Sequence, residues 1–324
     1  MIHYGIVSDL HDDPNLLPVT LAVLRRQGAE KFIVNGDLCD QKSNLERSQE
    51  YFSFVLDSIG KSGLESYVQP GSRDTFLVYE PVMAYFKERY SNIIDAAKEQ
   101  AIERKDHSLI FLPGTDIFSR GEYLTGNLIP SGRYVQAKDS LLRFETLDQY
   151  IQAHEQGIAE GVMEYSNMND LRHIVTDPDK SIMISHIPRR FDYEGAVDMV
   201  EFGEVTEDFL LNERMIPRGA VMPMQAAKDI AKMGYPLKLR KENRGNVCLK
   251  ELYEEIGIKK AISGHFHESG HRAHDRGGNR LLEGELCEEL FWNTGHLDAG
   301  QAGILTVYDG KVKYKNIRLA EHLH

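Results

Sequence analysis

Short apolar segments alternate along the chain with longer amphipathic ones. Ile2 to Val7, Lys31 to Val34 and Ser66 to Gln69 are runs of strand length, whereas Leu16 to Gln27 and Leu45 to Ile59 repeat apolar residues at helical spacing. This change of period is typical of βαβ units, in which helices connect parallel strands. The pattern predicts an α/β protein.

The same criteria predict further elements beyond residue 75. They are a helix over Tyr79 to Glu103, strands over Leu109 to Leu112, Ser181 to Ile184 and Lys259 to Ile262, a glycine-rich loop over Arg120 to Tyr134, a helical segment over Gln225 to Lys232, and a C-terminal hairpin of Ala302 to Val307 and Val312 to Ile317 that turns at Asp309-Gly310. We interpret 1–324 as a single domain in which 75–180 and 188–245 are insertions or cap segments.

Composition narrows the class of protein. Hydrophobic residues make up 41% and charged residues 27% of the 324 residues, a mixture typical of a globular protein. The three cysteines, Cys39, Cys248 and Cys287, are too scattered for a disulfide framework or a CxxC metal site. The N-terminus lacks the basic region and cleavage site of a signal peptide, and no apolar run reaches the roughly 20 residues of a spanning helix. We therefore expect a cytoplasmic protein that does not bind membranes.

Polar side chains with metal-binding chemistry follow five of the predicted strands. They are Asp9 and His11; Asp37 and Asp40; Ser72, Arg73 and Asp74; His186; and His265 and His267. Because functional groups in α/β sheets collect at the carboxyl ends of strands, we expect these clusters to meet at one edge. Mixed carboxylate and imidazole ligands suit divalent transition metals such as Mn, Fe, Zn or Ni.

The order and spacing of these clusters resemble the calcineurin-like metallophosphoesterases. That family has the ordered blocks D-x-H, G-D-x-x-D, G-N-H-D/E, a lone His, and G-H-x-H. This chain has Asp9-Leu10-His11, Gly36-Asp37-Leu38-Cys39-Asp40, Gly71-Ser72-Arg73-Asp74, His186, and Gly264-His265-Phe266-His267, so four of the five blocks match. Ser185-His186-Ile187-Pro188 and Asn293-Thr294-Gly295 also resemble segments of the family.

The resemblance implies a fold, a cofactor and a reaction. The fold is a two-sheet αββα sandwich with helical insertions, and the cofactor is a pair of divalent metal ions. By position, Asp9, His11, Asp37 and His267 resemble the ligands of one ion, and Asp37, His186, His265 and Ser72 those of the other. The implied reaction is hydrolysis of a phosphate ester or anhydride by a hydroxide activated between the two ions.

The third block departs from the family because Ser72 replaces its Asn and Arg73 replaces its His. A serine hydroxyl is a weaker ligand than an amide oxygen, and a guanidinium cannot supply a proton to a leaving group. We therefore predict that Arg73, held by Asp74, clamps the substrate phosphate, and that the reaction favours leaving groups that need no protonation. His296 is a candidate replacement acid, although a supporting role is the simpler interpretation.

Alternative functions remain open at this point. The altered third block favours a scaffold or binding module that has lost turnover. A Mn-dependent nuclease would need a basic groove, whereas the net charge of −12 favours a small phosphorylated substrate or a phosphoprotein over nucleic acid. The segment from His267 to His271 matches the H-E-x-x-H motif of zinc proteases, but its glycines disfavour the helix that this motif requires. We expect His271 and His274 to be exposed loop residues, and the oligomeric state is left open.

Overall fold

The computed structural model describes residues 1–38, 44–116 and 121–322. The first part of the chain contains β1 (Ile2–Val7), α1 (Leu16–Arg26), β2 (Lys31–Asn35), α2 (Leu45–Ser62), β3 (Ser66–Gln69), α3 (Phe76–Arg89), β4 (Ile93–Asp95), β5 (Ala101–Glu103) and β6 (Ser108–Leu112). The middle part contains β7 (Tyr123–Gly126), β8 (Gly132–Ala137), β9 (Ser140–Phe144), α4 (Leu147–Glu155), β10 (Gly161–Asn167) and α5 (Leu171–Ile174). The last part contains β11 (Ser181–Ser185), β12 (Met199–Val205), β13 (Phe209–Leu211), β14 (Arg214–Ile216), β15 (Val221–Pro223), α6 (Met224–Lys232), β16 (Leu237–Asn243), α7 (Val247–Ile256), β17 (Lys260–Ser263), β18 (Ala273–His274), β19 (Leu290–Asn293), β20 (Gln301–Tyr308) and β21 (Lys311–Arg318).

Two six-stranded sheets form the centre of the fold. Their strand orders are β21-β20-β1-β2-β3-β4 and β18-β19-β17-β11-β6-β5. In the first sheet β1 to β4 are parallel, and in the second β6, β11, β17 and β19 are parallel. The parallel strands of each sheet therefore end at a common edge.

Three apolar clusters hold the layers together. Ile33 of β2 and Ile184 of β11 belong to the cluster between the two sheets. Their neighbours along the strands face outward: Phe32 and Val34 pack with α1, α2 and α3, and Met183 packs with α5 and α7. Because these strands are buried on both faces, they are apolar runs without polar alternation. The predicted αββα sandwich is confirmed.

The C-terminal hairpin is also confirmed. β20 and β21 pair in antiparallel register from Gln301 with Arg318 to Tyr308 with Lys311, which leaves Asp309 and Gly310 as the turn. Both turn residues have positive φ, 49° and 74°, as a two-residue turn of this kind requires. The hairpin joins the first sheet through the pairing of β20 with β1.

Two other predictions about local structure are wrong. The helix predicted over Tyr79 to Glu103 is instead α3, β4 and β5, because Ile93–Asp95 pairs with β3 and continues the first sheet. The loop predicted over Arg120 to Tyr134 contains β7 and the start of β8, while Arg120 itself lies outside the described residues. The glycines of this segment led to a wrong loop prediction because Gly126 is a strand residue that allows close packing. A Cβ on it would lie 2.3 Å from the Tyr165 hydroxyl.

The remaining strands form smaller sheets beside the sandwich. β7, β10, β8 and β9 form a four-stranded sheet, β15, β12 and β16 a three-stranded one, and β13 and β14 a two-stranded one. The four-stranded sheet packs against α3 through aromatic contacts such as Phe76 with Phe144, whose ring centroids are 5.8 Å apart. Within the described ranges, none of the helices combines the length and apolar character needed to cross a bilayer.

Candidate metal centre

The polar clusters that follow β1, β2, β3, β11 and β17 meet at one edge of the sandwich. His186 Nε2 lies 3.3 Å from Asp37 Oδ1 and 3.9 Å from Asp9 Oδ1, and His267 Nε2 lies 3.4 Å from Asp9 Oδ1. The rings of His186 and His265 are in edge contact, with centroids 5.1 Å apart. Residues that are distant in sequence, and that belong to both sheets, thus share one site.

Local backbone geometry aims these side chains into the site. Asp9, Asp37 and His265 each follow a strand closely and have positive φ values of 54°, 56° and 66°. This left-handed conformation is costly for residues with a Cβ, so contacts must hold it in place. Asp9 N donates to the Gly36 carbonyl at 3.1 Å, and His265 N donates to the Asp9 carboxylate oxygens at 3.1 and 3.0 Å.

Glycines make room for the carboxylates. A Cβ on Gly71 would lie 2.4 Å from Asp37 Oδ1, and a Cβ on Gly264 would lie 2.4 Å from Asp9 Oδ2. Both distances are far below van der Waals contact, so any side chain at these positions would displace a carboxylate. The glycines of the third and fifth sequence blocks therefore have a direct role in the geometry of the site.

Hydrogen bonds fix which nitrogen of two histidines faces the site. His186 Nδ1 donates to the Asn35 carbonyl at 2.9 Å, and His11 Nδ1 lies 3.1 Å from Asp298 Oδ2. The Nε2 atoms of both rings are buried and make no hydrogen bond within the described residues. An imidazole whose Nδ1–H is held in this way presents Nε2 as a ligand.

Asn35 and Asp298 are parts of the site that the sequence motifs do not indicate. Asn35 acts through its backbone carbonyl, so the identity of its side chain carries no signal. Asp298 also accepts the backbone N–H groups of His11, Asp12 and Asp13 at 3.0 to 3.3 Å, and thereby holds the whole turn after β1. Its only sequence signal is its position shortly after the Asn293-Thr294-Gly295 turn.

The donor set fits a divalent transition metal. One ligand atom each from Asp37, His186 and His265 lies within 4.8 Å of the others. A second group of this kind, His11, Asp12 and Asp298, is better interpreted as an orienting contact because His11 Nδ1 faces the carboxylates. Buried imidazole nitrogens without hydrogen bonds beside buried carboxylates are what such an ion requires.

The close contact of these side chains shifts the pKa values of Asp37, His186 and His265. Burial alone would raise the pKa of Asp37, but the charge of the adjacent His186 holds that pKa well below its ordinary value. Burial opposes the charged form of His186, yet Asp37 and Asp9 raise its pKa to about 10. Burial and the adjacent His186 lower the pKa of His265 to about 4, so His265 is neutral at pH 7. Metal binding through His186 requires loss of its proton.

The third block supports the site in a way that the sequence did not predict. Ser72 Oγ lies 3.0 and 2.9 Å from the two Asp37 oxygens, so the hydroxyl is a hydrogen-bond donor to this carboxylate. The oxygens of Asp74 accept the backbone N–H groups of Gly71, Asp37 and Leu38 at 2.6 to 2.9 Å. Asp74 is fully buried and positions backbone, whereas Arg73 is exposed.

Three imidazoles stack beside the site. The His267 ring lies on that of His296, with centroids 4.2 Å apart and planes 6° apart, and on that of His11 at 5.3 Å. Burial opposes protonation of His267, but its hydrogen bond with Asp9 raises its pKa. Burial, followed by the neighbouring His267, lowers the pKa of His296 to about 4. A neutral His296 would be a poor general acid at pH 7, which favours the supporting role.

The structure from His267 to His274 decides against the zinc-protease motif. His267–Ser269 is a single 3-10 turn, so the H-E-x-x-H segment lacks the helix of a zinc protease. His271 is half-buried, and its Nε2 contacts the Ala302 carbonyl at 3.0 Å. His274 is only 3% exposed and its Nδ1 lies 2.7 Å from the Tyr193 hydroxyl, so the prediction that it is an exposed loop residue is wrong. Asp40, the last residue of the second block, lies outside the described residues.

Comparison with known proteins shows which solved structures share this fold. No protein-family model matches the chain, and no curated protein sequence matches it. Among solved structures, protein TT1561 of Thermus thermophilus is similar over 98% of this chain and 99% of its own, with 11% identity and a TM-score of 0.51. A dimetal phosphatase from Danio rerio is similar over 97% of this chain and 95% of its own, with 11% identity and a TM-score of 0.50. The chain therefore shares its two-sheet αββα fold with these two structures.

Proposed function

We propose that the protein is a metal-dependent phosphoesterase that hydrolyses a phosphate ester or anhydride at the centre formed by Asp9, Asp37, His186 and His265. One observation carries the proposal: carboxylates and imidazoles from both sheets converge with His186 Nε2 3.3 Å from Asp37 Oδ1 and without a hydrogen bond. The likeness of fold to a dimetal phosphatase adds support, and two ions are the expected number.

The residues have distinct tasks in this proposal. Asp37 lies between the two halves of the site and would bridge the ions, while His11, Asp9 and His267 would complete one ligand set and His186 and His265 the other. Ser72 would steady Asp37 through its hydroxyl. When bound, divalent metal ions stabilise negative charge on phosphoryl oxygens and lower the pKa of the attacking water.

Arg73 would bind the phosphoryl group. Its backbone N–H donates to Asp37 Oδ1 at 2.8 Å, and its side chain is exposed at the rim of the site. A guanidinium can hold phosphate oxygens in a bidentate way but cannot protonate a leaving oxygen. The chemistry therefore favours leaving groups that are stable as anions at neutral pH.

The substrate in this proposal is a small phosphorylated compound or a phosphoprotein. A nuclease would need a basic groove to bind nucleic acid. The basic run of the predicted cap, from Lys238 to Arg244, is the segment that could form it. Three of its residues form ion pairs: Arg240 with Glu204 at 2.7 Å, Lys241 with Glu194 at 2.8 Å, and Arg244 with Glu242 at 3.5 Å. This neutralisation disfavours a polyanion at the cap.

The specific observation that favours a scaffold instead is the substitution of Ser72 and Arg73 in the third block. A scaffold would bind metal without turnover. The test is to measure metal content together with hydrolysis of p-nitrophenyl phosphate in the presence of Mn²⁺, for the wild type, Asp37→Asn and the exposed control Asp139→Asn. We expect Asp37→Asn alone to lose both metal and activity. Metal binding without hydrolysis in the wild type would contradict the phosphoesterase and favour the scaffold.

A further inference from the structure

Arg190 is a half-buried cation in the segment that follows the candidate ligand His186. It follows His186 by four residues, and its backbone N–H donates to the Asn246 carbonyl at 2.9 Å. Within the described residues its guanidinium makes no ion pair. Its neighbour Arg189, by contrast, pairs with Glu254 at 2.9 Å. A half-buried guanidinium that forms no ion pair can bind an anionic ligand.

Arg190 lines a cavity of about 520 Å³. Phe266, which stands between His265 and His267 in the chain, is another wall of this cavity. The cavity contains two arginines, Arg190 and Arg244, and one carboxylate, Asp116, which accepts from Asn246 Nδ2 at 3.4 Å. Because Arg244 pairs with Glu242 at 3.5 Å, Arg190 is the guanidinium of this cavity wall that is available to an anion.

A second cavity of about 320 Å³ continues from the first and is mainly apolar. The two cavities share Asp116, Asn246 and Cys248 in their walls. The far wall is aliphatic and includes Leu128, Leu141, Leu124, Ile129, Met163 and Met168. The volume lies in the range of small-ligand sites, and a wall of this composition accepts a hydrocarbon group.

The order of these features matches one substrate class. Phe266 connects the candidate ligands His265 and His267 to the cavity of Arg190, and that cavity shares part of its wall with the apolar one. We propose that the substrate is a diphosphate ester of an apolar alcohol: its terminal phosphoryl group binds at the metal centre, its second phosphate binds Arg190, and its hydrocarbon chain enters the apolar cavity. This inference rests on the proposed phosphoesterase function and names its substrate.

The reaction balances without an added acid. Water adds through its oxygen to the terminal phosphorus, the bond from this phosphorus to the bridging oxygen breaks, and the bridging oxygen leaves on the alkyl monophosphate. The products are inorganic phosphate and an alkyl phosphate, and no electrons are transferred to another molecule. A phosphate leaving group is stable as an anion at pH 7, which agrees with Arg73 as a clamp that cannot donate a proton.

The test uses three probes that separate the two parts of recognition. Geranyl diphosphate has both the second phosphate and the chain, geranyl phosphate has only the chain, and inorganic pyrophosphate has only the second phosphate. With Arg190→Gln we expect kcat/KM to fall about 10- to 100-fold for geranyl diphosphate, the loss expected for a charged hydrogen bond, and less than about twofold for geranyl phosphate. With Leu128→Ser, a change at a residue that is 79% exposed, both geranyl substrates should be about threefold poorer and pyrophosphate unchanged.

Matched variants control for general damage. Arg25→Gln removes another arginine without an ion pair among the described residues, and Leu210→Ser removes another exposed leucine, 59% exposed, on β13. Neither should change any of the three rates. Equal losses on geranyl diphosphate and geranyl phosphate in Arg190→Gln, or no loss on either, would overturn the proposal.

A binding measurement distinguishes this proposal from the proposed function. Geranyl diphosphate is titrated calorimetrically into the full chain after removal of metal, and we expect binding that weakens about 10-fold or more in Arg190→Gln. If p-nitrophenyl phosphate is not hydrolysed but this binding pattern holds, the phosphoesterase function fails and the two-part site stands. If p-nitrophenyl phosphate is hydrolysed but geranyl diphosphate neither binds nor reacts, the substrate class is wrong and the hydrolase stands.

Discussion

Asp298 offers a sharp test of the metal centre because it lies one contact away from the proposed ligands. Its Oδ2 lies 3.1 Å from His11 Nδ1, and its side chain is only 7% exposed. The substitution Asp298→Asn keeps the shape but replaces one acceptor oxygen with an NH₂ group. Because the carboxylate also accepts three backbone N–H groups after β1, the amide cannot satisfy all of these donors.

The expected loss is in metal affinity. Changes to carboxylates that orient a ligating histidine reduce metal affinity about 10- to 100-fold, which corresponds to about 1.4 to 2.8 kcal/mol. The assay is competition for Mn²⁺ or Zn²⁺ against a chelator of known affinity, followed at constant pH. Urea unfolding of the metal-free protein, measured in parallel, separates the loss of a ligand orientation from a general loss of stability.

Asp12→Asn is the matched control. Asp12 Oδ1 lies 3.3 Å from the same His11 Nδ1, but its side chain is 70% exposed, so solvent replaces its contact readily. We expect its metal affinity to stay within about threefold of the wild type. The reasoning is refuted if Asp298→Asn binds metal as tightly as the wild type, or if the two variants lose affinity equally.

Three other changes test the geometry, the electrostatics and the chemistry. Gly71→Ala would place a Cβ 2.4 Å from Asp37 Oδ1 and should abolish metal binding. Gly161→Ala, where the atom nearest to the new Cβ is 3.8 Å away, should not alter it. Equilibrium dialysis measures metal binding of the two variants. Burial, followed by the charge of Glu80, raises the pKa of Glu164 from 4.5 to about 7, so the folded protein retains a proton that the unfolded chain loses between these values. Stability should therefore fall across this pH window by up to about 3 kcal/mol in the wild type but not in Glu164→Gln, as urea unfolding at pH 4.5 and 8 would show. Arg73→His should reduce the dependence of hydrolysis on leaving-group acidity across a series of aryl phosphates, and an unchanged slope would contradict the clamp.

Most of the sandwich could be predicted because its strands carry their signal locally. β1, β3 and the C-terminal hairpin follow from apolar runs and turn residues alone. The helix predicted through Glu103 failed because Ile93–Asp95 is a strand only by virtue of pairing with β3, a partner that periodicity does not reveal. Long-range pairing thus overrides local pattern at the places where the chain changes from helix to edge strand.

The site was predictable in its residue types but not in its contacts. Spacing placed Asp9, Asp37 and His186 at strand ends, and the structure brings all three together. The contact between Ser72 and Asp37 and the role of Asp74 in holding backbone depend on side-chain directions in a turn, which a linear motif does not encode. Asp298 was missed because it reaches His11 across 287 positions of sequence.

The backbone of the site explains why these contacts must be so numerous. Asp9, Asp37 and His265 have positive φ, a conformation that costs a non-glycine residue about 1 to 3 kcal/mol. Three such residues around one centre would relax unless neighbouring groups held each of them, and the structure supplies that restraint. Asp74 holds the amide of Asp37, and the Asp9 carboxylate holds the amide of His265. The Asp9 carboxylate therefore both restrains the backbone and faces the metal position, so a substitution at Asp9 should alter the shape of the centre as well as its charge.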